Sequence, residues 1–128
     1  MNFINQYFKE AKKIIDDIDK NQILSMISII KKIREERGRM FILGVGGGAG
    51  HASHAVNDFR KICGIESYTP TDNVSELTAR VNDDGWDTAY INWLKISKLN
   101  QNDMILVFSV GGGNMEKEIS VNILRSLE

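Results

Sequence analysis

The sequence has little cysteine, little net charge and no long apolar run, and each absence excludes a class of protein. Among its 128 residues there is a single cysteine, Cys63, which excludes an internal disulfide and is typical of a reducing compartment, so we expect a cytoplasmic protein. The net charge is −1, which gives no basic field to attract nucleic acid or an anionic membrane. No apolar run approaches the ~20 residues that a membrane span needs. We therefore expect neither nucleic acid nor a membrane among the partners of this protein.

The N-terminal part of the chain has the spacing of amphipathic helices. Apolar residues recur there at intervals of three and four, which predicts one helix with a continuous apolar stripe: Phe3, Ile4, Tyr7, Phe8, Ala11, Ile14, Ile15 and Ile18. A second helix is predicted from about Gln22 to Arg37, with Asn21 as its N-cap and Gly38 as the left-handed residue after its end. Residues 1–38 are thus predicted to form a helical pair, separate from an α/β domain at 39–128.

Strand and helix patterns alternate through the rest of the chain. Apolar runs predict strands at Met40 to Leu43, Glu66 to Thr71 and Met104 to Phe108. The intervening patterns predict helices from about His51 to Ile62, from Asn73 or Ser75 to Val81, from Trp86 to Ser97, and from Asn114 onwards. This alternation predicts an α/β fold with a parallel sheet. Because only about three strands fit, we expect the longer protein to continue past Glu128.

Two predicted strands end in turns that are unusually rich in glycine. The first strand leads into Gly44-Val45-Gly46-Gly47-Gly48, and the third leads into Ser109-Val110-Gly111-Gly112-Gly113-Asn114. Glycine lets the backbone approach a ligand closely, and the N–H groups of a following helix favour an anion. Because the carboxyl ends of parallel strands meet at one edge of a sheet, the two turns predict a shared site for a phosphorylated ligand.

Polar side chains follow the first turn at helical spacing. His51, His54 and Asp58 fall at i, i+3 and i+7, so they are predicted to share one stripe of a helix that begins at the anion site. They could supply a base or two metal ligands, or they could simply form a solvated face. The segment Asn82-Asp83-Asp84-Gly85 has the same ambiguity between a plain turn and a loop that delivers a carboxylate.

A dinucleotide site is an alternative interpretation of the first turn. Gly44, Gly46 and Ala49 fit a variant of the dinucleotide-binding fingerprint. The acidic residue that should follow the second strand would be Asp72, which lies rather far along the chain. This interpretation predicts binding of NAD and no binding of sugar phosphates.

The order of these elements and motifs along the chain resembles that of the phosphoheptose isomerases of the sugar-isomerase (SIS) family. The resemblance rests on a helical pair, a strand with a glycine turn, a helix with His54 and Asp58, the Asn82-Asp83-Asp84-Gly85 segment, and a second polar and glycine-rich turn. It implies a Rossmann-like SIS domain that lacks the family's C-terminal strands. It also implies a homo-oligomer, a dimer or tetramer, joined by the helical pair.

The resemblance also implies an activity and its residues. The expected reaction is an aldose–ketose isomerisation of a sugar phosphate through an enediol. His54 and Asp58 would serve in proton transfer and in binding a metal ion, with zinc as the expected metal, and Asp83 would take part in catalysis. The residues expected to bind the phosphate are Gly46, Gly47, Gly48, Ser109, Gly111, Gly112, Gly113 and Asn114.

This sequence departs from the family pattern at several of these positions. The family has Gly-Asn-Gly-Gly-Ser in the first turn and a serine-rich second turn, so most of its hydroxyls are missing here. A glutamate of the family is replaced by the shorter Asp58. The alternative is therefore a non-catalytic module that binds a sugar phosphate or holds an oligomer together.

Overall fold

The computed structural model describes residues 2–128, which form two compact units divided between Lys31 and Lys32. The first unit contains α1 (Asn2–Asp17) and most of α2 (Lys20–Glu35). The predicted cap Asn21 is wrong, because Asp19 caps α2: its Oδ1 accepts the N–H of Asn21 at 2.8 Å. The helix consequently begins two residues earlier than predicted. The domain boundary at 38/39 stays a prediction.

The end of α2 also differs from the prediction. The left-handed residue is Arg37, with φ 57°, and not Gly38. The N–H of Gly38 donates to Ile33 O at 2.9 Å and that of Arg37 donates to Arg34 O at 3.3 Å, the pair of bonds that defines a Schellman motif. Gly38 is required for a different reason, because a Cβ there would collide with the carbonyl oxygen of Asn102.

Three parallel strands form the sheet of the second unit. They are β1 (Met40–Gly44), β2 (Ser67–Tyr68) and β3 (Met104–Phe108), in the order β2-β1-β3. β1 pairs with β3 along its whole length, from Met40 opposite Met104 to Gly44 opposite Phe108. The parallel sheet and β3 are confirmed, whereas β2 is shorter than predicted. Pro70 explains its early end, since proline has no N–H to donate to the ladder.

Four helices complete this unit, and their bounds correct several predictions. They are α3 (Gly47–Lys61), α4 (Val74–Asp84), α5 (Ala89–Ile96) and α6 (Val121–Leu127). α3 begins four residues before His51, so the glycine run forms its first turn. Asn73 caps α4 as predicted, by accepting the N–H of Glu76 at 3.1 Å. α4 nevertheless continues through Asp84, so the expected turn there begins only at Gly85.

The core lies on both faces of the central strand. Every residue of β1 is buried, as expected for a strand covered on both sides. Phe41 and Leu43 pack with residues of α5 and α6, namely Ala89, Tyr90, Leu94 and Ile123. By strand alternation, Met40 and Ile42 face the opposite side. α3 packs against all three strands. Within residues 2–128, no helix has the length and apolar character that crossing a membrane requires.

Candidate ligand-binding site

Both glycine turns open into one cavity. Because Gly44 and Phe108 are paired at the ends of β1 and β3, the turns that follow them lie side by side. Between them is a cavity of about 720 Å³. It is lined by Val45, Gly47, Gly48, His51, Phe108, Ser109, Val110, Gly111, Gly113, Asn114, Lys117, Ile119, Ser120 and Ile123. The sequence-based expectation that the two turns meet therefore agrees with the geometry, although Gly46 and Gly112 are not among the lining residues.

Close packing shapes the first turn. Gly46, with φ 58°, precedes α3, and a Cβ on Gly48 would lie 2.5 Å from the carbonyl oxygen of Phe108. Glycine at 48 thus lets the start of α3 lie directly against the end of β3. Tyr90 fixes the start of this turn, because its buried hydroxyl donates a hydrogen bond to the carbonyl oxygen of Gly44 at 2.7 Å. Burial raises the pKa of Tyr90 to about 12, so this hydroxyl keeps its proton at neutral pH.

The second turn is held by its own polar groups. The Oγ of Ser109 accepts the N–H of Gly112 at 3.0 Å, which leaves the hydroxyl hydrogen of Ser109 free to donate. Asn114 and Ile119 exchange backbone hydrogen bonds at 2.8 and 2.9 Å, so this segment is a tight antiparallel turn. The predicted start of the last helix at Asn114 is therefore wrong, because α6 begins only at Val121.

The charge among the cavity's lining residues is positive only. Among its lining residues Lys117 carries a positive charge and none is an aspartate or glutamate. Sequence reasoning missed Lys117 as a site residue because it placed this lysine on a helix. No local signal marks it, since its position depends on the turn between Asn114 and Ile119. The cavity has the character of a site for a small anionic ligand.

The predicted acid–base residues lie elsewhere. His54 Nε2 and Asp58 Oδ2 are 3.3 Å apart on α3, and the two side chains are 77% and 45% exposed. Asp83 lies in the last turn of α4, where its Oδ1 accepts from the side chain of Asn82 at 2.8 Å. None of these three residues lines the cavity, whereas His51 of the same predicted stripe does.

A metal site is not complete in the described part of the chain. Residues 2–128 contain no group of three or more His, Cys, Asp or Glu side chains placed to hold a metal ion. His54 and Asp58 offer two donors, and a closed zinc site needs about four. These two residues therefore do not by themselves fit the zinc ion that the resemblance implies.

Asp72, the acidic residue of the dinucleotide interpretation, is already paired. Its Oδ1 accepts from the hydroxyl of Ser53 at 2.6 Å, and it does not line the cavity. A ribose hydroxyl would have to compete for that carboxylate.

Comparison with known proteins gives matches in structure only. No protein-family model and no curated protein sequence matches this chain. A phosphoheptose isomerase from Neisseria gonorrhoeae is similar with a TM-score of 0.83 and 20% identity, over 98% of this chain and 66% of that one. A phosphoheptose isomerase from Francisella tularensis is similar with a TM-score of 0.71 and 19% identity, over 98% of this chain and 65% of that one. The chain thus has the fold of these isomerases across slightly less than two thirds of their length.

Proposed function

We propose that this chain binds a sugar phosphate in the cavity between the two glycine turns and acts as an aldose–ketose isomerase of the phosphoheptose isomerase type. The observation that carries the proposal is the shared cavity, which has a lysine and no carboxylate among its lining residues. The fold shared with two phosphoheptose isomerases supports the same substrate class.

The size and chemistry of the cavity suit such a ligand. A volume of about 720 Å³ is within the range of ~300–1,000 Å³ that is usual for small-molecule sites. The N–H of Gly47, the hydroxyl of Ser109 and the ammonium group of Lys117 can donate hydrogen bonds to phosphate oxygens. The next N–H groups of α3, those of Gly48 and Ala49, already donate to the carbonyls of Val45 and Gly46 at 3.0 Å.

The reaction itself requires two proton transfers. A base removes the proton from the carbon next to the carbonyl, which gives an enediol, and the proton then returns to the neighbouring carbon. His54, Asp58 and Asp83 remain our predicted residues for this transfer and for its polarising partner. None of the three lines the cavity, so this role requires the sugar end of the substrate to extend beyond the cavity towards them.

A second candidate function follows from the position of His54, Asp58 and Asp83 outside the cavity. If His54, Asp58 and Asp83 never reach a bound sugar, the chain is a non-catalytic module that binds a sugar phosphate or supports an oligomer. Binding without turnover would distinguish this module from the isomerase. Binding of NAD alone would favour the dinucleotide interpretation.

The same proposal includes a homo-oligomer, a dimer or tetramer, joined through the first helical pair. The structure buries no residue of α1, and six large apolar side chains of that helix are at least half exposed: Phe3, Ile4, Tyr7, Phe8, Ile14 and Ile15. Such a continuous apolar surface is typical of a protein–protein contact.

Two glycine variants test the site. Gly47 and Gly50 lie on the same helix, and a Cβ on either would meet no other atom within 4 Å. Gly47 lines the cavity and Gly50 does not. We expect sedoheptulose 7-phosphate at ~100 times its dissociation constant to stabilise the parent chain by ~2.7 kcal/mol in thermal unfolding. Gly47→Ala should lose most of this shift and the control Gly50→Ala should keep it.

The same thermal unfolding measurement is made with inorganic phosphate, with other sugar phosphates and with NAD, each with and without zinc. If no phosphate compound shifts the parent, or if Gly47→Ala responds as Gly50→Ala does, the proposed site is wrong. Turnover of sedoheptulose 7-phosphate that falls in His54→Ala and Asp58→Ala supports the isomerase. Binding with no turnover in the parent supports the non-catalytic module.

A further inference from the structure

The turn that carries Lys117 is built around the side chain of Asn114. The Oδ1 of Asn114 accepts the backbone N–H of Lys117 at 2.9 Å. The backbone N–H and carbonyl of Asn114 are both bonded to Ile119. Three polar groups of Asn114 are therefore used within the turn, and one of them fixes the backbone of the lysine. The side-chain Nδ2 of Asn114 is not used in the turn and Asn114 lines the cavity, so the expectation that Asn114 itself binds the phosphate stays a prediction.

Lys117 is not neutralised by its neighbours. It is flanked in sequence by Glu116 and Glu118, yet neither glutamate lines the cavity. Within the described residues, the salt bridges pair other side chains, and none involves Lys117. The lysine thus contributes an unpaired positive charge to a cavity wall on which no carboxylate lies.

We infer that Lys117 binds the phosphate group of the ligand by charge and that Asn114 is the residue that positions it. The inference rests on the proposed function and specifies how that site recognises its ligand. The neutral side-chain donors on this wall include the hydroxyls of Ser109 and Ser120 and the amide nitrogen of Asn114, and none of them carries a charge that could balance a dianion. An ammonium group provides a charge-assisted hydrogen bond, which is roughly twice as strong as a neutral one.

The first test compares two lysine variants that change the net charge equally. Lys117→Met keeps the aliphatic stem and removes the charge, and Lys95→Met does the same at an exposed position on α5 outside the cavity. Affinity for inorganic phosphate and for sedoheptulose 7-phosphate is measured by calorimetry near neutral pH. We expect Lys117→Met to bind both at least about tenfold more weakly. Lys117→Arg should retain most of the affinity and Lys95→Met all of it.

Salt dependence separates charge from a change in shape. Added salt screens an ion pair, so the affinity of the parent should fall as ionic strength rises. In Lys117→Met this dependence should be clearly weaker. Thermal unfolding without ligand should be the same in both lysine variants, which shows that the fold is intact.

A double-mutant cycle tests the positioning role. Asn114→Ala removes the acceptor for the Lys117 N–H but keeps the two backbone bonds to Ile119, so we expect the turn to form and phosphate to bind several-fold more weakly. In the Lys117→Met background the same substitution should cost little more, because its effect passes through the lysine. A full additional loss would mean that Asn114 contacts the ligand directly and would overturn its positioning role.

The outcomes separate this inference from the function on which it rests. If the parent binds neither phosphate compound, the proposed function fails and the inference falls with it. If the parent binds both and Lys117→Met binds them equally well, with the same salt dependence, the cavity holds its ligand by other groups and only the inference is overturned.

Discussion

At the scale of single residues, Arg39 connects the starts of two neighbouring strands. Its Nε and Nη2 donate to the two carboxylate oxygens of Asp103 at 3.1 and 2.7 Å, and its remaining donors reach the carbonyls of Ser97 and Lys98. Burial alone would raise the pKa of Asp103, but hydrogen bonds from Arg39 and from the backbone N–H of Asn100 outweigh it and hold that pKa below its usual value. Arg39 precedes β1 and Asp103 precedes β3, so this pair fixes the ends opposite the glycine turns.

The lowered pKa of Asp103 predicts how stability changes with acid. Its carboxylate contributes stability above the unfolded pKa of ~3.9, and this contribution is lost as the pH falls through that value towards the folded pKa. Asp103→Asn should therefore reduce the free energy of unfolding by about 1–3 kcal/mol at pH 7. The difference from the parent should shrink as the pH falls below about 4.

Urea unfolding at pH 7 and in the acid range measures this effect. The control is Asp87→Asn, an exposed position that changes the charge equally. An Asp103→Asn variant whose deficit stays constant down to the lowest pH would contradict the electrostatic explanation.

At the scale of secondary-structure elements, local signals predicted some boundaries and failed at others for identifiable reasons. The apolar run of β3 and the cap Asn73 of α4 are confirmed, because each depends on its own short segment. α3 began earlier than predicted because glycines that favour a loop are instead drawn into its first turn by packing against β3. The segment from Asn114 to Ile119 has helical composition, but its exchange of backbone bonds between the two ends closes a turn.

The end of α2 gives a prediction in which neighbouring residues have opposite preferences. Arg37 has the left-handed conformation, which costs about 1 kcal/mol for a residue with a Cβ, so Arg37→Gly should stabilise the protein by up to that amount. Gly38→Ala should destabilise it by about 1–3 kcal/mol, because the new methyl group would collide with Asn102. Arg34→Gly, inside the helix, is the control and should destabilise by ~1 kcal/mol. Urea unfolding of the three variants checks the order, and the opposite order at 37 and 38 would restore the expectation from sequence.

At the scale of the whole molecule, the sequence predicted where the cavity lies better than which side chains line it. Two strands that end in glycine turns predict a site at one sheet edge, because parallel strands bring those ends together. Lys117 could not be found in this way, since its place depends on a turn closed by Asn114 and Ile119. His51, His54 and Asp58 do lie on one helix, α3, as their spacing predicted. Spacing along α3, however, does not determine which of them reach a cavity shaped by β3 and its following turn.

The exposed apolar surface of α1 predicts self-association. The side chains of Phe3, Tyr7 and Phe8 are 78%, 60% and 57% exposed, and leaving aromatic surface in water is costly. In sedimentation velocity we expect the parent chain to be a dimer or tetramer at micromolar concentration. Phe8→Asp places a charge in this surface and should shift the protein towards monomer. Asn5→Asp adds the same charge to α1 outside the predicted apolar stripe and should leave the assembly unchanged.

If the parent is a monomer at every concentration, or if both variants dissociate alike, the stripe does not join copies of this chain. Phosphate binding by monomeric Phe8→Asp would further show that the cavity of residues 45–123 needs no second copy.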